Sequence, residues 1–308
     1  MPMARAGRVP PLTYGEHAKV IPHVIWTYWQ DAPLPLIAQA CLSSWQRHLP
    51  AYRIELLGPG NLPTGLPSLP TGFATWSAQV QSDWVRLAVL AAHGGVWMDA
   101  TTLVTCPSFA VLSEGMRQSS PLSFVEALDA HDQPDLIGYF NQERTHNPAY
   151  PMVENWFLAT PAGNLFMQHW WKTFDAMLTP DGRCDIGLVA KAVTLPDLLQ
   201  GFDHAPEYFG CHAAAQWVMR KHGGCLALIP AELDAFFEPH SRGWDPERVC
   251  AWLCDAAPDG SPSPSPSPST RPITKLIGLL WRPLEVRFQR GDVHPESILG
   301  KLCATWPI

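Results

Sequence analysis

The spacing of apolar and polar positions changes period several times along the first hundred residues. His23–Trp29 (HVIWTYW) is an almost unbroken β-branched and aromatic run, which predicts a buried strand. From Pro33 to His48, Leu36, Ile37, Ala40, Cys41, Ser44 and Trp45 recur at helical spacing, and Pro50 stops the helix. Tyr52–Leu57 predicts a second strand, and the prolines and glycines of 58–72 predict a loop. A second helix over Ser77–Ala92 places Val80, Trp84, Leu87 and Ala91 on one buried stripe. Gly94 and Gly95 end it, and Val96–Met98 is a short strand that delivers Asp99. This alternation predicts an α/β fold with a mostly parallel central sheet flanked by helices. In such sheets ligands bind beyond the carboxyl ends of the strands, where Asp99 falls.

The second half is less regular. Leu122–Ala127, Asn155–Ala159 and Cys225–Ile229 have strand character, and 163–178, 185–200 and 210–222 have helical spacing. Residues 257–272 (APDGSPSPSPSPSTRP) are a Ser/Pro-rich low-complexity stretch with no large core-forming side chain, which predicts an extended insertion. Apolar text resumes after it. The expected organisation is an N-terminal arm over 1–20, one domain over 21–256, the insertion at 257–272, and a helical C-terminal segment over 273–308 packing back on the domain.

Composition narrows the function classes. With 46% hydrophobic and 16% charged residues the chain can bury a large core, which excludes disorder throughout. A net charge of −7 argues against nucleic acid as a partner. Residues 1–20 lack the apolar core of a signal peptide, and no run approaches the roughly 18 apolar residues of a membrane span, so the expected location is cytoplasmic, with the inner face of the membrane as an alternative. The eight cysteines have no framework spacing and are expected to be reduced thiols; a zinc site from Cys211, His212, His222 and Cys225, or from Cys250 and Cys254, is the alternative.

The chemistry concentrates in Ser82–Thr102 (SDWVRLAVLAAHGGVWMDATT). Asp83 and Arg86 stand three apart and share one edge of the helix. A Gly-Gly turn then precedes a strand ending in the lone carboxylate Asp99. In this order and spacing the block resembles the DXD-type sugar transferases, and above all the bacterial capsular polysaccharide synthesis protein family. IPHVIWTYWQ (Ile21–Gln30), CLSSWQRHLPAY (Cys41–Tyr52), ENWFLAT (Glu154–Thr160), YFGCH (Tyr208–His212) and KLCATW (Lys301–Trp306) follow in that family's order.

The resemblance implies a GT-A fold and transfer of a hexose, with retention, from a nucleotide-sugar, UDP-linked by expectation, to a capsule, lipopolysaccharide or lipid-linked saccharide acceptor. It also implies a divalent cation, Mn²⁺ or Mg²⁺, at Asp99 to neutralise the departing diphosphate. Asp99-Ala100-Thr101 has Thr101 in place of a second Asp, so the hydroxyl would be a ligand without charge. Asp83 would receive the ribose or base and Arg86 the donor sugar or diphosphate, with a buried salt bridge as the alternative. Trp29 would stack on the base, while Trp26 is a core residue. Glu154 would be a base or transition-state stabiliser, or else a solvated strand-end carboxylate, and Asn155 would contact the donor sugar. His212 would be a further metal or diphosphate ligand, or else a core histidine. Lys301 would close over the diphosphate and Trp306 would cover the base. The rival functions are a catalytically silent nucleotide-sugar-binding scaffold and a metal-dependent hydrolase or phosphotransferase.

Overall fold

The computed structural model describes residues 20–105, 134–185, 187, 208–256 and 273–303. In chain order its elements begin with β1 (Val24–Tyr28), α1 (Leu36–His48), β2 (Arg53–Leu57), α2 (Ala78–His93), β3 (Gly95–Met98), β4 (Thr102–Val104), β5 (Leu136–Asn141) and β6 (Met152–Thr160). There follow α3 (Leu165–Met177), α4 (Gly210–His222), β7 (Leu226–Pro230), α5 (Phe237–Ser241), α6 (Pro246–Cys254), β8 (Ile273–Lys275), α7 (Gly278–Arg290) and α8 (Ile298–Cys303). The predicted arm up to residue 19, the strand at 122–127 and the low-complexity insertion lie outside the described residues, as does the helix at 185–200 apart from 185 and 187. The chain packs as two compact units, one from the described residues of 1–30, 55–98 and 127–230, the other from those of 31–54, 99–126 and 231–308.

The first unit is built on a six-stranded sheet of order β2-β1-β3-β6-β5-β7. β1 runs parallel to β3, with Ile25 opposite Val96, and β5 runs parallel to β7, with Ile137 opposite Ala227. β6 lies between them and runs against both neighbours. β1, β3, β5 and β7 therefore share one direction, and the expected mostly parallel α/β sheet is present. α2 packs on β1 and β3, α4 on β6, and α3 on both helices.

Local chemistry sets the boundaries of α2. The Ser77 hydroxyl accepts the Val80 N–H at 3.3 Å, and Gly94 closes the helix at φ +62°. Of the predicted stripe, Trp84, Leu87 and Ala91 are buried and Val80 only partly so. Burial in fact runs round the whole helix from Asp83 to Ala91, and includes Gln81. Polar side chains there must find partners inside the protein. Tyr28 donates to Gln81 Oε1 at 2.6 Å, and Gln81 Nε2 donates to the Phe73 carbonyl at 2.9 Å. Trp26 is the core residue expected, its indole N–H bonded to the Gly94 carbonyl at 2.9 Å.

β5 was not anticipated, because Gly138 interrupts its apolar run and it ends on polar residues. A side chain at Gly138 would meet the Phe157 carbonyl at 2.9 Å, so the glycine allows two strands to approach closely. Just before β5, buried Asp135 accepts from Asn164 Nδ2 at 3.1 Å and from the Cys225 N–H at 2.8 Å, tying three segments together.

The second unit encloses its own core of Ile37, Ala40 and Cys41 from α1, Leu103 from β4, Val249 and Leu253 from α6, Leu280 and Leu284 from α7, and Leu299 from α8. β4 pairs antiparallel with β8, with Thr102 opposite Lys275. The Ser44 hydroxyl accepts the Val104 N–H at 3.0 Å, and the Trp45 indole donates to the Thr102 carbonyl at 2.6 Å. The apolar spacing of α1 was visible in the sequence; that its partners are β4, some 60 residues on, and three helices more than 200 residues downstream was not.

No described helix is long and apolar enough to cross a membrane. Cys41, Cys184, Cys211, Cys225, Cys250 and Cys254 are free thiols, and all but Cys225 are buried.

Candidate functional site

The first cluster lies in the first unit, where α2 meets β6. Asp83 and Arg86 are each 3% exposed and form an ion pair through Arg86 Nη1 and Asp83 Oδ1. Asn155 Nδ2 donates to the same carboxylate oxygen at 3.0 Å, Arg86 Nη2 reaches the Ser82 hydroxyl at 3.4 Å, and the guanidinium lies 5.0 Å from the centre of the Trp97 ring. The i,i+3 spacing thus yields a buried salt bridge, and the structure brings Asp83, Arg86 and Asn155 into direct contact.

Asn155 reaches the helix because β6 is irregular there. Gly138 pairs with Leu158 and Phe140 with Val153, so Tyr139 alone stands opposite the four residues 154–157. Such a bulge re-aims side chains that a regular strand would alternate between faces. Within it Glu154 is 8% exposed and accepts from Asn141 Nδ2 at 3.0 Å, while Trp156 stacks on Tyr139 with centroids 4.7 Å apart. Glu154 is the third residue of a strand and buried, so the solvated strand-end reading does not describe it.

His212 and Cys211, in the first turn of α4, border this cluster. Burial, with the charges of Arg86 and Arg144 added, holds the His212 pKa down to about 3. Its Nδ1 has no hydrogen-bond partner among the described residues. Burial drives the Cys211 thiol well up, and the neighbouring Asp83 charge adds to this. Cys211 is therefore an inert thiol rather than a nucleophile. Sequence reasoning had not singled out Arg144, whose guanidinium sits 5.2 Å from the Phe209 ring centre.

The His212 value carries a prediction. In the unfolded chain this imidazole takes a proton below pH 6.5, while in the folded state it does not until about pH 3. Stability is therefore fully present above pH 6.5 and is lost as the pH falls, by about 2 kcal/mol between pH 7.5 and 5. His48, His169 and His222 are lowered as well and act in the same direction, so the test is the difference between proteins. The melting temperature of His212→Asn should fall less over this interval than that of the wild type. Equal slopes would remove His212 from the acid response.

The second cluster lies in the second unit and follows Asp99, the residue directly after β3. Lys275, the last residue of β8, places Nζ 2.8 Å from Asp99 Oδ2 and 3.1 Å from Thr101 Oγ1. The lysine side chain is 8% exposed and the aspartate side chain 25%. Register explains the approach: Lys275 is opposite Thr102, its N–H is held by the Ala235 carbonyl at 3.0 Å, and the Leu276 N–H bonds to the Thr101 carbonyl at 2.9 Å. Local sequence gave no signal for Lys275, because only the β4–β8 pairing brings it to Asp99.

The remaining candidates are more scattered. Trp29, just past β1, is half-buried, and its N–H bonds to the Leu57 carbonyl at 2.9 Å. Lys301 Nζ is 3.7 Å from Glu296 Oε2 on the surface of the second unit. Trp306 lies outside the described residues. Among the described residues no three His, Cys, Asp or Glu side chains gather as a metal-binding group, which leaves the proposed zinc sets unassembled there. His222 instead stacks on His169, with ring centres 3.9 Å apart.

No curated protein sequence matches the chain. A crystal structure described as the ligand-free glycosyltransferase domain from the YGT toxin is similar at 11% identity and a TM-score of 0.30, covering 92% of this chain and 82% of that one. The family model for capsular polysaccharide synthesis proteins matches residues 13–177, a segment that includes α2, Asp99 and the β6 bulge. That segment is more than half of the sequence, and the chain belongs to the capsular polysaccharide synthesis protein family.

Proposed function

We propose that this protein is a glycosyltransferase of GT-A type, which moves a hexose from a UDP-linked sugar to a growing capsule or related surface glycan, with retention of configuration. The observation that carries the reading is Asp99: a partly exposed carboxylate immediately after a strand of a mostly parallel sheet, in a chain of this family. The half-buried Trp29 supplies a face on which a base can stack, worth roughly 1–3 kcal/mol. Asp83 and Arg86 are buried and paired with each other, which makes them positioning residues before ligand contacts. They hold α2 to β6 and fix Asn155, which faces the donor sugar in this reading. Glu154, kept in the same bulge by Asn141, stabilises the transition state. The reaction is placed in the cytoplasm, at the inner face of the membrane where a lipid-linked acceptor would be presented.

A thermal-shift panel of UDP-, GDP-, dTDP- and CMP-sugars, combined with measurement of nucleotide release, tests this. A donor at 100 times its Kd should stabilise the protein by about 2.7 kcal/mol. One nucleotide class should raise the melting temperature and release nucleotide when acceptor saccharide is added. Stabilisation without release under any acceptor would instead support the silent scaffold, and no shift with any sugar nucleotide would refute the donor site.

A further inference from the structure

We propose that Lys275 supplies, in place of a divalent cation, the positive charge that meets the donor diphosphate at Asp99. This rests on the glycosyltransferase reading above. The donor set fits Mn²⁺ or Mg²⁺ poorly. A hard cation needs several oxygen ligands with enough negative charge; among the described residues no three His, Cys, Asp or Glu side chains gather, and the Asp99–Thr101 segment offers one carboxylate and one hydroxyl. Both already receive hydrogen bonds from the same ammonium, at 2.8 and 3.1 Å. A divalent ion seated on Asp99 and Thr101 would stand beside a cation that is nine-tenths buried, where like charges repel strongly.

The same geometry suits a different task. An ammonium has three donors, and Asp99 and Thr101 take two of them. The third N–H has no acceptor among the described residues. Asp99 and Thr101 fix the direction of that donor, and a phosphate oxygen is the partner for which a charge-assisted hydrogen bond is strongest. In the transfer, the bond from the anomeric carbon to the phosphate oxygen breaks and its electron pair stays on that oxygen. The acceptor hydroxyl oxygen bonds to the anomeric carbon, and the hydroxyl proton ends on the departing phosphate. Lys275 bonds to the diphosphate throughout and takes no part in moving that proton. Thr101 in place of a second Asp is then part of the design, since a second carboxylate would compete with phosphate for the lysine.

The experiment measures UDP affinity in EDTA and in MnCl2, together with free Mn²⁺ by electron paramagnetic resonance, for the wild type, Lys275→Met, Lys275→Arg and Asp99→Asn. Wild-type affinity for UDP should be the same in EDTA and in MnCl2, and the protein with UDP should deplete the Mn²⁺ signal no more than UDP alone. Lys275→Met should weaken UDP ten- to a hundred-fold, and Lys275→Arg should recover most of that loss. If Lys275→Met does not fold, the wild-type comparison and Lys275→Arg decide. UDP binding that vanishes in EDTA, or Mn²⁺ uptake by the wild type that Asp99→Asn abolishes, would overturn the role of Lys275 while leaving the glycosyltransferase reading intact. A folded Lys275→Met with unchanged UDP affinity would overturn it too. Absence of UDP binding under every condition would refute both.

Discussion

Arg86→Met is expected to destabilise the protein by about 3–5 kcal/mol, the usual cost of stranding one partner of a buried ion pair. The methionine fills much of the same volume, so the loss is electrostatic: Asp83, 3% exposed, keeps its charge with the guanidinium gone. Asp83→Asn should cost less, because the amide oxygen can still accept from Asn155. The double variant Asp83→Asn/Arg86→Met should cost less than the two single changes together, since neither remaining group is a lone charge. Urea unfolding at constant m measures all three. An unchanged midpoint for Arg86→Met would show that the pair contributes nothing to the fold and return it to direct ligand contact. The same buried node makes donor affinity a secondary readout, since Asn155 loses its orientation with it.

The second large effect is expected at Gly94. Its φ of +62° is unfavourable for any residue with a Cβ, at about 1–2 kcal/mol. A Cβ there would also lie 2.4 Å from the Ala162 nitrogen and 2.6 Å from the Pro161 carbonyl carbon, and backbone atoms cannot swing aside as a side chain can. Gly94→Ala should therefore cost roughly 3 kcal/mol or more, combining conformational strain with overpacking. Gly163 provides the control. Its φ is +67°, but nothing lies within 4 Å of an added Cβ, so Gly163→Ala should lose only the conformational part. If the two alanine variants melt together, the close approach at Gly94 is not under strain.

Much of the sheet was legible because it rests on local signals. β1, α1, β2, α2 and β3 fall within a few residues of their predicted spans, each marked by a change of period or by a cap such as Ser77 or Gly94. The spacing of Asp83 and Arg86 announced a pair. Its depth was hidden, since burial on all sides of α2 depends on what packs around the helix. β5 escaped because Gly138 and the polar residues after it weaken the strand signal. The β6 bulge that aims Asn155 is a property of pairing with β5, and no single strand encodes it. Lys275 is the clearest case. Its chemistry comes from the register of β4 against β8, which places it beside Asp99 from 176 positions away, beyond any local pattern.

The way the two units share the chain bears on how the protein is made. Neither unit is a continuous stretch of sequence, and the second, which begins at residue 31, cannot be finished until residues 231–308 have been made. The Ile37 N–H at the start of α1 bonds to Glu285 Oε2, 248 positions later. At about 5–20 residues per second, α1 waits roughly 12–50 s for that partner to be synthesised. During this time Ile37, Ala40, Cys41 and Trp45, all fully buried in the finished protein, face solvent or a chaperone. Contacts this distant in sequence also slow folding once the chain is released, because long loops must close before any burial rewards them. Dependence on chaperones during synthesis, and intolerance of C-terminal truncation, thus follow from the route the chain takes between its two cores.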